Sequence, residues 1–277
     1  MSGEILWLAS YPKSGNTWLR AVLSAWQTHE APRLNSLAAE GVAARMLFDD
    51  ALGLPSSDLT PAETEILRPR VDELLAGEAQ GPLLRKIHDG LYLGPEGEPV
   101  VSSAATRAAI YMVRDPRDVA VSRAHHNARP VEWVVDRLED PAAAMGDTTR
   151  ALIPQLQQRL GTWSEHVRSW VDHAPFAVHV VRYEDCLADP LRAFGSALRF
   201  ADLGPVTDAD VAQAVRHAAF DRLRDAEAAH GFRERPAELE RFFRSGRAGS
   251  WREEMPAAVA NRVEAAHGDV MARFGYL

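Results

Sequence analysis

Hydrophobic and polar positions alternate along the chain in blocks that predict strands and helices in turn. Four segments are predicted to form strands: residues 5–9, 108–113 and 177–183 are of the buried type, and residues 82–90 form a short strand that ends in polar residues and a glycine. Apolar positions at helical spacing follow three of these segments, from residue 17, over 119–127 and over 189–201. Buried strands that alternate with helices predict an α/β fold whose central parallel sheet is covered on both faces.

The rest of the chain is predicted to be mostly helix and loop. Residues 28–81 show no clear strand and suit short helices, and residues 129–175 are predicted to be mainly helical. A helical stretch at 206–229 and a final amphipathic helix at 256–274 flank a glycine- and arginine-rich loop at 231–250. The length of 277 residues suits one large α/β domain or two small ones.

The loop after the first strand carries the residue types of an anion site. Lys13, Ser14, Gly15 and Asn16 stand between the strand and the next helix. Backbone N–H groups at a helix N-terminus hold anions, and a lysine adds a point charge. The Walker sequence GxxxxGK[ST] does not occur. We therefore predict a phosphate loop of another kind in preference to an ordinary strand–helix corner.

An arginine follows the third strand, at the sheet edge where parallel sheets bind their ligands. Arg114 ends that strand and Ser122 lies on the next helix, so the two side chains can grip one phosphate from two sides. The alternative for Arg114 is a structural ion pair with Asp115 or Asp118.

A second group of arginines lies in the late segment 242–252, among glycines and between aromatic residues. Guanidinium groups and a glycine-rich backbone together suit a phosphate. The alternative is a disordered basic loop, which fits poorly because disordered segments are usually poor in aromatic residues. We favour the phosphate role.

His88 follows the second strand and is the candidate general base, because a neutral imidazole accepts protons near pH 7. Strand periodicity places Lys86 on the same side. A lone strand histidine is more often structural, so both roles stay open. His125 and His126, which follow Ser122 on one predicted helix, are interpreted as surface or packing residues.

Composition narrows the classes of function. A net charge of −8 argues against a general nucleic-acid binder. The single cysteine, Cys186, cannot form an intramolecular disulfide, and no Cys/His cluster has the spacing of zinc ligands. No apolar run is long enough for a membrane span, and the first residues lack the layout of a signal peptide, so we expect a cytoplasmic protein.

Taken together, the segments resemble the sulfotransferase family that uses 3′-phosphoadenosine 5′-phosphosulfate (PAPS). Residues 11–18 (YPKSGNTW) resemble the 5′-phosphosulfate loop, and residues 114–122 (RDPRDVAVS) resemble the 3′-phosphate motif. Residues 182–185 (RYED) are similar to the strand end whose tyrosine lies near adenine. Residues 243–251 (FRSGRAGSW) are similar to the C-terminal RKGxxGDWK segment. The four motifs occur in the order of the family.

This resemblance implies a P-loop-like three-layer α/β sandwich with a central parallel sheet. It implies PAPS as the sulfuryl donor, adenosine 3′,5′-bisphosphate (PAP) as the product, and no metal. His88 would be the catalytic base, with Lys13 and Lys86 assisting at the developing charges. The 5′-phosphosulfate and adenine end would be held by Lys13, Ser14, Gly15, Asn16, Thr17 and Trp18. The 3′-phosphate side would be formed by Arg114, Ser122, Arg244, Ser245, Gly246 and Arg247, with Tyr183 near adenine.

The sequence departs from the family pattern at three positions. Ser245 stands where lysine is usual, which removes one cation, and Arg247 is the candidate replacement. Ser250 replaces the usual aspartate before Trp251, and Asn16 stands where threonine is common. None of these changes removes a group that the chemistry requires.

By the same resemblance, residues 1–277 form one sulfotransferase domain, and residues 28–81 and 123–175 are helical insertions that shape the acceptor site. The acceptor is a hydroxyl or amine of a small molecule or glycan, and no nucleic-acid partner is expected. Two alternatives remain. One is an ATP- and Mg²⁺-dependent P-loop kinase for a small molecule, and the other is a nucleotide-binding module without turnover.

Overall fold

A computed structural model describes residues 4–94, 97, 99–146 and 152–277, so residues 147–151 of the predicted insertion at 123–175 lie outside the described residues. The described chain divides into two compact units. The first unit comprises the described residues of Met1–Tyr11, Ala39–Tyr111 and Asp140–Val180. The second unit comprises Pro12–Ala38, Met112–Glu139 and Val181–Leu277.

The strands of the described residues include all four that the sequence predicts. Their bounds are Ile5–Ser10 (β1), Glu40–Gly41 (β2), Leu83–Ile87 (β3), Thr106–Val113 (β4), Ala144–Met145 (β5), Gln158–Arg159 (β6) and Val178–Arg182 (β7). One sheet has the order β2-β3-β1-β4-β7, and its four longer strands form the central parallel sheet. Strands β5 and β6 form a separate antiparallel pair.

Helices flank the central sheet, which confirms the predicted α/β architecture. The α-helices of the described residues are Asn16–Thr28 (α1), Arg45–Leu52 (α2), Pro61–Glu78 (α3), Pro116–Asn127 (α4), Val131–Glu139 (α5), Trp163–Val171 (α6), Tyr183–Ala188 (α7), Pro190–Ala201 (α8), Asp208–His217 (α9), Phe220–His230 (α10), Trp251–Glu254 (α11) and Ala257–Arg273 (α12).

Strand β1 occupies the middle of the sheet, between β3 and β4. All six of its residues are buried, as expected for a strand covered on both faces. The chain adds β3 on one side of β1 and β4 on the other, so the strand order reverses at β1. In open parallel sheets the ligand crevice lies beyond the carboxyl ends of the strands at such a reversal. Ser10 ends β1, and His88 directly follows β3.

Helix α4 begins three residues earlier than the apolar pattern indicates. The Asp115 carboxylate caps it by accepting a hydrogen bond from the Arg117 N–H at 2.9 Å, and Pro116 takes the first helical position. Pro116 suits the start of a helix by its residue type, whereas the Asp115 cap was not predicted because a cap is polar and lies outside the apolar periodicity. Helix α3 begins at Pro61, where Thr60 and Glu63 form a capping box.

Three predicted elements are wrong in part. Residues 129–175 are not mainly helical, because the short β5–β6 pair lies between α5 and α6. The predicted helix at 206–229 is interrupted at Ala218, whose carbonyl oxygen accepts a hydrogen bond from the Trp18 indole at 3.0 Å. Tyr183 begins α7 and does not extend β7. No helix within the described ranges combines the length and the apolar character that crossing a membrane requires.

Candidate active site

The loop between β1 and α1 owes its shape to two residues with left-handed backbone. Lys13 has φ 72° and Gly15 has φ 106°. A Cβ atom on Gly15 would lie 2.7 Å from the Tyr183 ring and 3.1 Å from the Met112 methyl group, so only glycine fits there. The first turn of α1 carries no acidic residue that would offset the positive end of the helix dipole. The loop therefore presents a helix N-terminus suited to an anion.

The Lys13 side chain is held between a histidine and an aromatic ring. Its ammonium nitrogen lies 3.3 Å from Nδ1 of His126 and 4.2 Å from the centroid of the Phe242 ring. The rings of His126 and Phe242 meet edge to face at 5.8 Å. The sequence interpretation of His126 as a surface or packing residue missed this contact. The available signal was its position four residues after Ser122, on the same face of α4.

Arg114 connects three of the segments that the sequence singles out. Its buried guanidinium donates hydrogen bonds to the main-chain carbonyl oxygens of Lys13, at 3.2 Å, and of Arg247, at 3.0 Å. The same group lies 4.3 Å from the centroid of the Tyr183 ring. A terminal nitrogen of the same guanidinium lies 4.0 Å from Oδ2 of Asp118. A simple ion pair with that aspartate is therefore not its main contact.

Asp115, the other proposed partner of Arg114, binds Arg117 instead. The Asp115 carboxylate accepts hydrogen bonds from Nε of Arg117 at 3.0 Å and from a terminal nitrogen at 2.7 Å. Arg117 also pairs with Glu264 and donates to the main-chain oxygen of Tyr276 at 2.6 Å. This network leaves Arg114 out, so the guanidinium of Arg114 keeps donors for other acceptors.

The late segment is attached to the start of α4 by one carboxylate. Asp118 is buried and accepts hydrogen bonds from the N–H groups of Gly249 at 2.6 Å and Trp251 at 3.0 Å. Gly246 has φ 60°, and a Cβ atom there would lie 2.5 Å from the Phe220 ring. The segment is therefore ordered, and the alternative of a disordered basic loop is wrong.

The arginines of this segment have acidic neighbours. Arg244 donates to both carboxylate oxygens of Glu254 at 3.0 Å, and His125 lies 2.7 Å from the same carboxylate. Burial opposes ionisation of Glu254, but the hydrogen bonds from His125 and Arg244 outweigh it and lower the pKa of this carboxyl. The exposed guanidinium of Arg247 lies 3.9 Å from Glu253.

The remaining predicted donor-site residues also lie in the second unit. Ser122 and Ser245 are half-buried, on α4 and in the late segment respectively, and Thr17 is half-buried at the start of α1. Trp18 meets the Tyr183 ring edge to face at 5.8 Å and the Phe194 ring at 4.9 Å. The second unit thus contains every predicted donor-site residue.

Several buried polar atoms of these segments have no hydrogen-bond partner among the described residues. They are Oγ of Ser14, Nε of Arg114, Oγ of Ser250 and Nε1 of Trp251. Buried donors without partners are rare in folded proteins and call for an explanation at each position. All four atoms can donate to an anion, so the residues present fit a phosphorylated ligand.

The candidate base His88 belongs to the first unit, and its tautomer follows from its acceptor. Its Nδ1 lies 2.8 Å from the main-chain carbonyl oxygen of Ser10, which can only accept. Nδ1 must therefore carry the hydrogen, and Nε2 carries the lone pair that takes up a proton. The Ser10 hydroxyl lies 3.3 Å from the same nitrogen. The sequence alone gave no sign of this role of Ser10.

A buried network holds the backbone at His88. Nε2 of His166 donates to the His88 carbonyl oxygen at 3.0 Å, and the Tyr111 hydroxyl lies 2.8 Å from Nδ1 of His166. Burial is the main cause that lowers the pKa of His166 to about 4, so its ring is neutral near pH 7. The next residue, Asp89, binds the buried Arg68 through two hydrogen bonds of 2.9 and 2.7 Å.

Lys86, the candidate assisting residue, lies on β3, where it pairs with Leu8 of β1 and Gly41 of β2. Its carbonyl oxygen accepts a hydrogen bond from Val42 at 3.0 Å, and its side chain is half-buried.

Across the described ranges, no three His, Cys, Asp or Glu side chains are grouped in the way a metal ion would need.

Comparison with known proteins identifies the family. Residues 4–275 match the sulfotransferase domain family. Cytosolic sulfotransferase 17 of Arabidopsis thaliana is 26% identical over 272 residues, which cover 93% of this chain and 71% of that protein.

Two solved structures share the fold. Retinol dehydratase in complex with retinol and PAP has a TM-score of 0.64 and 19% identity, with 98% of this chain and 82% of that chain covered. Mouse sulfotransferase SULT7A1 complexed with PAP has a TM-score of 0.60 and 20% identity, with 97% and 85% covered. The family match spans nearly the whole sequence, and the four motifs that resembled this family lie within it: the chain belongs to the sulfotransferase family.

Proposed function

We propose that this protein transfers the sulfuryl group of PAPS to a hydroxyl or amine acceptor and releases PAP. One observation carries the proposal: the Arg114 guanidinium binds the carbonyl oxygens of both Lys13 and Arg247. It thereby joins the 5′-phosphosulfate loop to the segment that resembles the 3′-phosphate site. A nucleoside triphosphate has no 3′-phosphate and would make no use of this second cluster of donors.

The 5′ end of the donor would lie on the loop and the N-terminus of α1. Ser14, Gly15, Asn16 and Thr17 would supply main-chain and side-chain donors, and the unpartnered Oγ of Ser14 supports this role. Lys13 would stabilise the negative charge that develops on the bridging phosphate oxygen as the sulfuryl group leaves.

The 3′-phosphate would be held by Arg114 and Ser122, together with Arg244, Ser245, Gly246 and Arg247. The unpartnered Nε of Arg114 and the left-handed Gly246 support this assignment. Arg244 would share its charge between the phosphate and Glu254. The rings of Trp18 and Tyr183 contact each other edge to face at 5.8 Å, and both would pack on adenine.

His88 would act as the general base. The acceptor oxygen or nitrogen forms a bond to sulfur, the bond from sulfur to the bridging phosphate oxygen breaks, and PAP carries away the electron pair. The acceptor proton passes to Nε2 of His88, the nitrogen that the hydrogen bond to Ser10 leaves with its lone pair. Lys86 would assist at the sulfuryl oxygens. The proposed reaction uses no metal, because lysine, arginine and backbone dipoles supply the positive potential.

The proposal names one donor, PAPS, but a whole class of acceptors. We propose a small molecule or glycan, bound with the help of residues 28–81 and 123–175 as parts of one sulfotransferase domain. The single family match over residues 4–275 supports one domain over that range. A structural relative was solved with retinol, which supports testing apolar alcohols early. The names of the curated relatives support a cytoplasmic location.

One experiment separates this proposal from an ATP-dependent kinase and from a module without turnover. Thermal melting is recorded with PAP and with ATP–Mg²⁺, and then PAPS labelled in its sulfuryl group is offered with phenols, alcohols, amines and glycans. We expect stabilisation by PAP and transfer of the label to an acceptor, and we expect a metal chelator to change neither result. Stabilisation by ATP–Mg²⁺ alone would contradict the proposal.

A further inference from the structure

The contact between Lys13 and His126 assigns a role to a residue outside the four motifs. An ammonium group has donors only, so Nδ1 of His126, 3.3 Å away, must accept the hydrogen bond. The imidazole is then neutral, with its hydrogen on Nε2. Because its Nδ1 lone pair is directed at Lys13, His126 is a partner of that lysine and no second general base.

The geometry around Lys13 fixes both ends of a flexible side chain. Its left-handed backbone, with φ 72°, sets the direction in which the chain leaves the loop. A lysine has four rotatable bonds beyond that point, so the ammonium needs contacts of its own to be held in place. His126 provides an acceptor, and the Phe242 ring, 4.2 Å from the ammonium, provides an aromatic face.

The location of His126 on α4 suits this role. It lies four residues after Ser122, so the two side chains share one face of the helix. Its edge-to-face contact with Phe242, at 5.8 Å, links that face to the late segment. One side chain of α4 thus contacts both the donor loop and the segment that carries Arg244.

We infer that His126 is a positioning residue that holds the Lys13 ammonium ready for the donor. The inference rests on the proposed function, because it is Lys13 that would meet the 5′ end of PAPS. The partner is a neutral acceptor and not a carboxylate, so the contact directs the lysine without neutralising its charge. Loss of the acceptor on His126 would leave a mobile ammonium and weaken donor binding.

The test measures the dissociation constant of PAP, which needs no acceptor. His126→Phe keeps a ring against Phe242 and removes the acceptor, whereas His126→Asn places an amide oxygen near the former Nδ1 and keeps an acceptor. We expect His126→Phe to weaken PAP roughly tenfold, the cost of one charge-assisted hydrogen bond, and His126→Asn to restore most of that loss. Asn127→Ala, at the exposed next position of α4, is the matched control.

A double-mutant cycle distinguishes positioning from general packing. In a Lys13→Met background the ammonium is gone, so we expect His126→Phe to have little further effect on PAP affinity. An equal effect with and without Lys13, or wild-type affinity in His126→Phe, would overturn the inference. If His126→Phe and His126→Asn both lose their cooperative thermal unfolding, the role is structural and the inference fails. Failure of the wild-type protein to bind PAP would instead overturn the proposed function itself.

Discussion

Arg114 donates a hydrogen bond from its guanidinium to the main-chain carbonyl oxygen of Lys13 at 3.2 Å. The residue that would hold the 3′-phosphate therefore also supports the loop that would hold the 5′-phosphosulfate. Because the acceptor is a main-chain atom, the contact restrains the left-handed backbone of Lys13 and does not involve its ammonium. We expect the two ends of the donor to be bound cooperatively as a result.

Gly15→Ala should disrupt the loop. The new methyl group would lie 2.7 Å from the Tyr183 ring, on a backbone with φ 106° that L-residues rarely adopt. We expect a lower melting temperature and PAP affinity reduced roughly tenfold or more, since such strain costs about 1–3 kcal/mol.

Gly53→Ala is the control for that change, because Gly53 also has a positive φ, of 68°, but has no atom within 4 Å of the new methyl position in the described structure. Its melting temperature should fall through backbone strain alone, and its PAP affinity should stay unchanged. Equal losses of PAP affinity in the two variants would show that the close approach to Tyr183 is unimportant.

Asp118→Asn should loosen the late segment. The aspartate accepts from the N–H groups of Gly249 and Trp251, whereas an amide offers one acceptor and turns an NH₂ group toward the other donor. A hydrogen bond to a charged acceptor contributes about 1.5–3 kcal/mol, so we expect PAP affinity to fall roughly tenfold. Amide hydrogen exchange at Gly249 and Trp251 should accelerate. Asp225→Asn, on the exposed side of α10, should change neither quantity.

His88→Ala should separate chemistry from binding. Removing a general base lowers turnover by roughly 10²–10⁴-fold, whereas PAP carries no acceptor proton and its dissociation constant should change little. The comparison uses whichever acceptor receives label from PAPS, with the exposed His173→Ala as control. Turnover close to wild type would exclude His88 as the base.

Sequence predicts well those features of the fold and the site that have a local pattern. Strand β1, for example, was predicted because a parallel strand that is covered on both faces is a continuous apolar run. Polar residues at their ends, such as Lys13 and Arg114, could be grouped because parallel strands bring their carboxyl ends to one edge.

The parts that sequence does not predict depend on contacts between distant residues. His126 contacts Lys13 across 113 positions, and Asp118 contacts Gly249 across 131 positions, without any periodic signal. The tautomer of His88 depends on a carbonyl oxygen of Ser10, and main-chain acceptors leave no mark in composition. The interruption at Ala218 likewise coincides with a hydrogen bond from the Trp18 indole, 200 positions away, and a local helical pattern contains no sign of that contact.

His166 should make stability depend on pH. Burial lowers its pKa to about 4, below the ordinary value of 6.5. Between these two pH values the unfolded state binds a proton that the folded state does not bind. The contribution of His166 to the free energy of unfolding is therefore fully retained above pH 6.5 and is lost as the pH falls toward about 4, a loss of about 3 kcal/mol. Urea unfolding of the wild type and of His166→Gln, which does not titrate, measures this difference. Parallel pH dependences for the two proteins would contradict the assignment.

The most direct test of the account compares PAP with adenosine 5′-monophosphate by titration calorimetry. The two ligands differ only in the 3′-phosphate, so their affinity ratio measures the second phosphate site without any acceptor. We predict that PAP binds roughly a hundredfold more tightly, and that Arg114→Lys, which keeps the charge but not the two-pronged geometry, removes most of this preference. Equal affinities for the two ligands, or tighter binding of ATP–Mg²⁺ than of PAP, would contradict a site built for a 3′-phosphorylated sulfate donor.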